Sequence, residues 1–124
     1  MKLTPSQKRT INGLLRELLV LRDGERCLRC KRTGVLHMSH IYPKGKHRRM
    51  EYMAKNLKFL CLSCHLYWWH RSPIEAWEWL SATLDKGRLQ ELKRAANTVD
   101  KSPFDYARHK EALEAEISRL RGQE

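Results

Sequence analysis

Apolar residues first recur at helical spacing near the beginning of the chain, where Ile11, Leu14, Leu15, Leu18 and Leu21 fall on one side of a 3.6-residue spiral. Thr4-Pro5-Ser6-Gln7 predicts how that helix starts. Thr4 offers a capping hydroxyl, Pro5 suits the first helical position, and Gln7 can reach back to the Thr4 N–H. Asp23-Gly24 ends the helix. The spiral then gives way to short runs: residues 35–41 and 57–60 predict two strands, separated by a polar loop at 43–55. Ser72-Pro73-Ile74-Glu75 reads as a second capping box, opening a helix to about Leu84 with Ile74, Trp77, Leu80 and Leu84 on one face. Gly87 breaks it, and 88–97 predicts a short helix. Ser102-Pro103-Phe104-Asp105 starts a last helix whose stripe is Tyr106, Leu113, Ile117 and Leu120. That stripe is expected to fold back on the first helix or on the 88–97 helix. No internal repeat or low-complexity tract appears. The pattern is that of a small α+β protein, divided into an N-terminal helix (1–24), a central domain (25–85) and a C-terminal helical extension (86–124).

The 124 residues suit one domain with a helical extension rather than two full globular units. Charge sharpens the picture. Lys and Arg number 25 against 14 Asp and Glu, a formal +11, and the excess is uneven. Residues 1–40 carry +6, residues 41–71 carry +6, and residues 72–124 carry −1. A cationic face on the first 71 residues points to a polyanionic partner, and charge alone does not distinguish DNA from RNA. The near-neutral C-terminal part argues against a second DNA arm, but its helix is a candidate surface for a homodimer or a protein partner. The longest clean apolar run, Leu18-Leu19-Val20-Leu21, is far too short to span a membrane, and Met1 to Gln7 contain no signal-peptide core. The expected setting is cytoplasmic.

The four cysteines form two pairs, Cys27-Leu-Arg-Cys30 and Cys61-Leu-Ser-Cys64, with 30 residues between them. Two tight turns that each point two sulfurs at one centre suit tetrahedral zinc. Disulfides are disfavoured in an intracellular setting, and thioredoxin-like redox chemistry uses one such motif rather than two matched ones. Four thiolates would close such a site, so this zinc is expected to hold the fold and leave no open position for catalysis. Four thiolates and one Zn²⁺ together bring the formal charge to about +9.

Between the pairs lie Ser39-His40-Ile41, then Asn56-Leu57, then Leu60-Cys61-Leu62-Ser63-Cys64-His65, a spacing of H-x15-N-x8-H. Over about residues 25–80, including Trp68-Trp69-His70-Arg71-Ser72-Pro73, the chain resembles the HNH endonucleases, in particular their zinc-bearing variety found in many phage and bacterial proteins. The resemblance implies a treble-clef (ββα-metal) core flanked by helices, hydrolysis of DNA phosphodiester bonds, and 5′-phosphate and 3′-hydroxyl products. If the protein is phage-encoded, it would act in the bacterial cytoplasm. By the same resemblance His40 matches the general base, Asn56 the residue that ties the intervening loop to the backbone, and His65 a ligand of a catalytic divalent ion. The chemistry suits these types. An imidazole accepts a proton near neutral pH, and a neutral amide with two donors and one acceptor suits a scaffold. A divalent ion neutralises charge on the scissile phosphate; Mn²⁺, Ni²⁺ or Zn²⁺ fit a histidine-rich site, whereas Mg²⁺ prefers oxygen. Lys44, Lys46, His47, Arg48, Arg49, Lys55, Lys58 and Arg71 are the candidate phosphate contacts.

One position departs from the family pattern. Many HNH enzymes place an acidic residue or a second His directly before the base, and this chain has Ser39 there, a poor ligand. His37 and His70 are the candidates to compensate, although five residues between His65 and His70 is awkward for one helical face, and in a strand His37 shares the side of Ser39. Trp68, Trp69, Trp77 and Trp79 suit either base stacking or helix packing, and His109 is expected to be solvated. Two rival functions follow: a nucleic-acid-binding module that uses the zinc core as scaffold without cutting, and an accessory subunit that docks through its C-terminal helix.

Overall fold

A computed structural model describes residues 2–123. In chain order these comprise α1 (Pro5–Asp23), β1 (His37–His40), β2 (Leu57–Leu60), a short α2 (Leu62–Cys64) running into a π-helical turn (His65–Trp69), α3 (Pro73–Thr83), α4 (Lys86–Ala96) and α5 (Tyr106–Arg121). Two 3-10 turns, Arg48–Met50 and Ala54–Asn56, shape the loop between the strands. The protein is therefore a small α+β fold with a single antiparallel strand pair among the described residues.

The first helix starts as its sequence predicts. Thr4 Oγ1 accepts from the Gln7 N–H, and the Gln7 side chain accepts from the Thr4 N–H. Ser72 behaves differently: it precedes α3 but makes no side-chain cap. Its backbone N–H already donates to the Trp68 carbonyl at 2.8 Å, so no free donor remains there for Glu75 to satisfy. The predicted apolar face of α3 is also corrected. Ala76 and Leu80 are the buried residues, whereas Ile74 is 78% exposed. Gly87 lies inside the first turn of α4 rather than ending α3. The break falls at Leu84-Asp85, where the Asp85 carboxylate caps α4 by accepting from the Arg88 N–H.

The strand pair registers His37 with Leu60, Met38 with Phe59, Ser39 with Lys58 and His40 with Leu57. The first strand is shorter than 35–41 because β2 offers only four partners, and Val35 is left exposed. One cluster of buried side chains runs through all three predicted segments, from Ile11, Leu15 and Leu19 through Phe59 and Leu60 to Leu92, Leu113 and Ile117. The stripe of α5 packs on α1, as expected, and an Arg121–Glu17 ion pair links the two helices. Arg22 at the end of α1 and Arg88 in α4 both donate to the Leu57 carbonyl, at 2.8 and 3.0 Å. Two helices are thus fastened to the residue that begins β2. No helix among the described residues is long and apolar enough to cross a membrane.

Candidate active site and cysteine cluster

The two cysteine pairs flank the strand pair at one end. The chain runs from the Cys27–Cys30 turn into β1 at His37, which lies opposite Leu60, the residue just before Cys61. The first turn closes through Lys31 N–H to the Cys27 carbonyl and Cys27 N–H to the Arg32 carbonyl, with Lys31 in the left-handed region at φ 66°. All four sulfurs lie within 4.8 Å of one another. The Cys30–Cys61 separation is 3.7 Å, close to the edge of about 3.8 Å expected for a tetrahedron with zinc–sulfur bonds near 2.3 Å. The cluster could therefore hold a zinc ion. Burial pushes the Cys27 thiol up, but hydrogen bonds from the backbone of Cys30, Cys61 and Arg29 outweigh it and bring the thiol down to about 7. Arg29 donates to Cys64 Sγ at 3.5 Å while its guanidinium lies 3.8 Å from the Trp68 ring centre. Burial, reinforced by the neighbouring thiols of Cys61 and Cys27, pushes the Cys64 thiol up, and the Arg29 hydrogen bond opposes that rise.

At the far end of β1, the His40 ring nitrogen Nε2 lies 2.9 Å from the Glu51 carbonyl. A carbonyl only accepts, so Nε2 carries the proton and the lone pair is left on Nδ1. Burial is the main reason that the His40 pKa is lowered from its ordinary value, opposed by the Glu51 carbonyl, and the shift favours the neutral ring. Asn56 is fully buried and uses both ends of its amide. Its Oδ1 accepts from the Tyr42 N–H at 2.8 Å, and Nδ2 donates to the carbonyls of Tyr42 and Met50, each at 3.1 Å. Leaving such an amide unpaired would cost about 1–3 kcal/mol. A third side chain completes the set: His109 of α5 donates from Nε2 to the Tyr52 carbonyl at 2.7 Å and packs on Phe104. The expectation of a solvated His109 is thus corrected, because the end of α5 that carries it lies against the loop. Three consecutive carbonyls, of Met50, Glu51 and Tyr52, are held by Asn56, His40 and His109.

The π-helical turn resolves the awkward five-residue spacing. Here the His70 N–H donates to the His65 carbonyl at 3.2 Å, an i→i+5 bond that brings the two side chains onto one side. Their Nε2 atoms lie 3.1 Å apart. On the opposite edge of the His65 ring, Nδ1 lies 3.0 Å from His37 Nδ1. Burial, followed by the neighbouring His70 and His37, lowers His65 to about 4. His40, His65 and His70 line one open cavity with Lys44, Trp69 and Trp77.

Ser39 is buried and accepts a hydrogen bond from Lys58 Nζ at 3.0 Å. The predicted role of Lys58 as a phosphate contact is therefore incorrect. It is fully buried, with its amine 3.4 Å from the centre of the Trp69 ring, because β2 has both faces covered. Lys44, Lys46 and Arg48 are exposed on the loop, and His47 and Arg49 are half-buried. Lys55 pairs with Glu91 on another side of the molecule, in a cleft with Arg88 rather than in the histidine cavity. Arg71 is exposed beside Tyr67. The tryptophans pack: Trp68 against Trp79 and Arg29, and Trp69 against Lys58 and Trp77. His109, Arg22 and Arg88 escaped the sequence reading, because each acts on a backbone carbonyl more than 30 residues away. No protein-family model, curated protein or solved structure matches the chain.

Proposed function

We propose that this protein is a metal-dependent DNA endonuclease of HNH type on a zinc-stabilised treble-clef (ββα-metal) core, with His40 as general base. The single observation that carries the reading is the Asn56–Met50–Glu51–His40 linkage. It fixes a neutral imidazole with an unprotonated Nδ1 at the edge of a cavity that also holds His65 and His70. A general base needs a fixed tautomer with an unprotonated nitrogen at the working pH.

In the reaction, a water gives its proton to His40 Nδ1 as its oxygen bonds to phosphorus. The phosphorus–O3′ bond breaks, leaving a 5′-phosphate and, once protonated, a 3′-hydroxyl. His65 and His70 would hold the divalent ion through Nε2. Their Nε2 atoms lie 3.1 Å apart, near enough for both to serve one ion. The His65 Nδ1–H would then donate to His37, which fixes the ring as a metal-bound histidine requires. When bound, the ion supplies charge neutralisation on the phosphate and the leaving oxygen. Mn²⁺, Ni²⁺ or Zn²⁺ suit these nitrogens better than Mg²⁺. Lys44 lines the cavity, and Lys46, Arg48 and Arg49 continue from it as phosphate contacts.

A second reading rests on Ser39 and Lys58. The position before the base carries no ligand and is occupied by an amine, which suits a protein that binds DNA without cutting it. Supercoiled plasmid incubated with zinc-loaded protein and added Mg²⁺, Mn²⁺ or Ni²⁺ decides between the two. Nicking that disappears in a folded His40→Ala variant supports the nuclease. Binding without cleavage under every ion supports the scaffold. The apolar stripe of α5 is buried on α1, so a protein partner would have to use another face of that helix.

A further inference from the structure

The cavity of His40 does not end at the histidines. Gly45 lines it and also lines a second, larger groove on the other side of the same loop. The loop contributes Lys46, Arg48 and Arg49 to the lining of that groove. The end of α4 and the connection from Thr98 to Phe104 contribute Lys101, and the start of the chain contributes Lys2. Five cationic side chains from three distant parts of the chain therefore converge, against one carboxylate, Asp100. That carboxylate is already engaged by Arg49 and Ser102. The convergence is invisible in the charge count, where residues 72–124 come to −1.

We infer that this groove is the bed for the DNA flanking the cleavage point, with Lys2 and Lys101 as phosphate contacts supplied from outside the loop. The inference rests on the DNA reading above and extends it to a part of the chain outside the histidine and cysteine motifs. Because Gly45 lines both cavities, a polyphosphate backbone leaving the His40 cavity past Lys44 and Gly45 enters the groove lined by Lys46, Arg48, Lys2 and Lys101. The cations along this path are exposed or half-exposed, as contacts that release counterions need to be. The apolar side chains of the same lining, Leu3, Met50 and Phe104, carry no competing charge.

The test uses zinc-loaded full-length protein and a fluorescent duplex of about 20 base pairs, without added divalent ion, with anisotropy read from low to moderate salt. The double variant Lys2→Glu, Lys101→Glu is compared with Lys8→Glu, Lys86→Glu, which makes the same charge change at exposed residues outside both cavities. The groove pair is expected to weaken binding about tenfold or more and to flatten the salt dependence by close to two phosphate contacts, roughly 0.9 per contact in slope. The control pair is expected to change affinity by less than about threefold. Equal effects of the two pairs, with the wild type binding well, would overturn the groove and leave the DNA reading standing. Displacement of the duplex from the wild type by inorganic phosphate at matched ionic strength would reassign the groove to a small anion. A wild type that does not bind the duplex at all would remove the DNA reading and the groove together.

Discussion

At the scale of single residues, Lys58 and His40 show how burial sets a titration. Both lie on the strand pair, in cross-strand neighbourhoods that differ by one register step. For His40, burial favours the neutral ring that a base needs. For Lys58, burial above all, with Arg88 adding repulsion, lowers the amine to about 6. The unfolded chain restores it to its ordinary value near 10.5. Between these two values the unfolded state binds a proton that the folded state does not, so stability falls as pH drops from about 10.5 to about 6 and is insensitive to this group below that. Lys58→Met is expected to remove this dependence and to raise the melting temperature most near pH 7, where a buried amine is replaced by an apolar side chain of similar shape. Melting curves of both zinc-loaded proteins at about pH 7 and about pH 9 check it. An equal rise in the two proteins between those pH values would show that the amine is charged in the fold, held by Ser39 and the Trp69 ring.

At the scale of elements, the loop between β1 and β2 is the part that the site depends on, and it has little regular structure to hold it. Its rigidity comes from outside: Asn56 on Met50, His40 on Glu51, and His109 on Tyr52. The first two belong to the strand pair and its immediate approach, whereas the third ties the loop to α5. Under the proposed nuclease function, His109→Leu in an otherwise folded protein is therefore expected to slow cleavage about tenfold, roughly 1.4 kcal/mol in the barrier. It should also speed solvent exchange of the His40 Nε2–H, read by nitrogen NMR of the imidazole. His109→Gln, which keeps a donor, should recover part of both. Unchanged rate and unchanged His40 signals in His109→Leu would reduce the contact to simple packing. The π-helical turn is the second such device, because it alone places residues five apart on one side.

At the scale of the whole molecule, the cysteine cluster and the α1–α5 pair hold the strand pair from two sides. Removing zinc is expected to free the two turns and the aromatic cluster beside them before the helices melt. A chelator, or Cys61→Ser, should change tryptophan emission, since Trp68 packs on the Arg29 that bonds Cys64, while much of the helical circular dichroism persists. Emission that is unaffected while all four thiols become titratable would rule out a structural role. The local features are legible along the chain. The Thr4 capping box, the 57–60 strand, the paired cysteine turns and the order His40, Asn56, His65 each depend on residues close in the chain or on recognisable spacing. What the sequence misjudged has separate physical reasons. Glu75 does not reach back to Ser72 because the Trp68 carbonyl already takes the Ser72 N–H, Ile74 is exposed because α3 presents Ala76 and Leu80 to the core, and Lys58 is buried because both faces of β2 are covered. The local π-helical turn brings His70 to His65. Packing between elements brings His37 to His65, sets His109 on the loop, and places Lys2 and Lys101 in one groove with Arg48. Such contacts join residues whose separation along the chain carries no period, so they arise only when the elements pack.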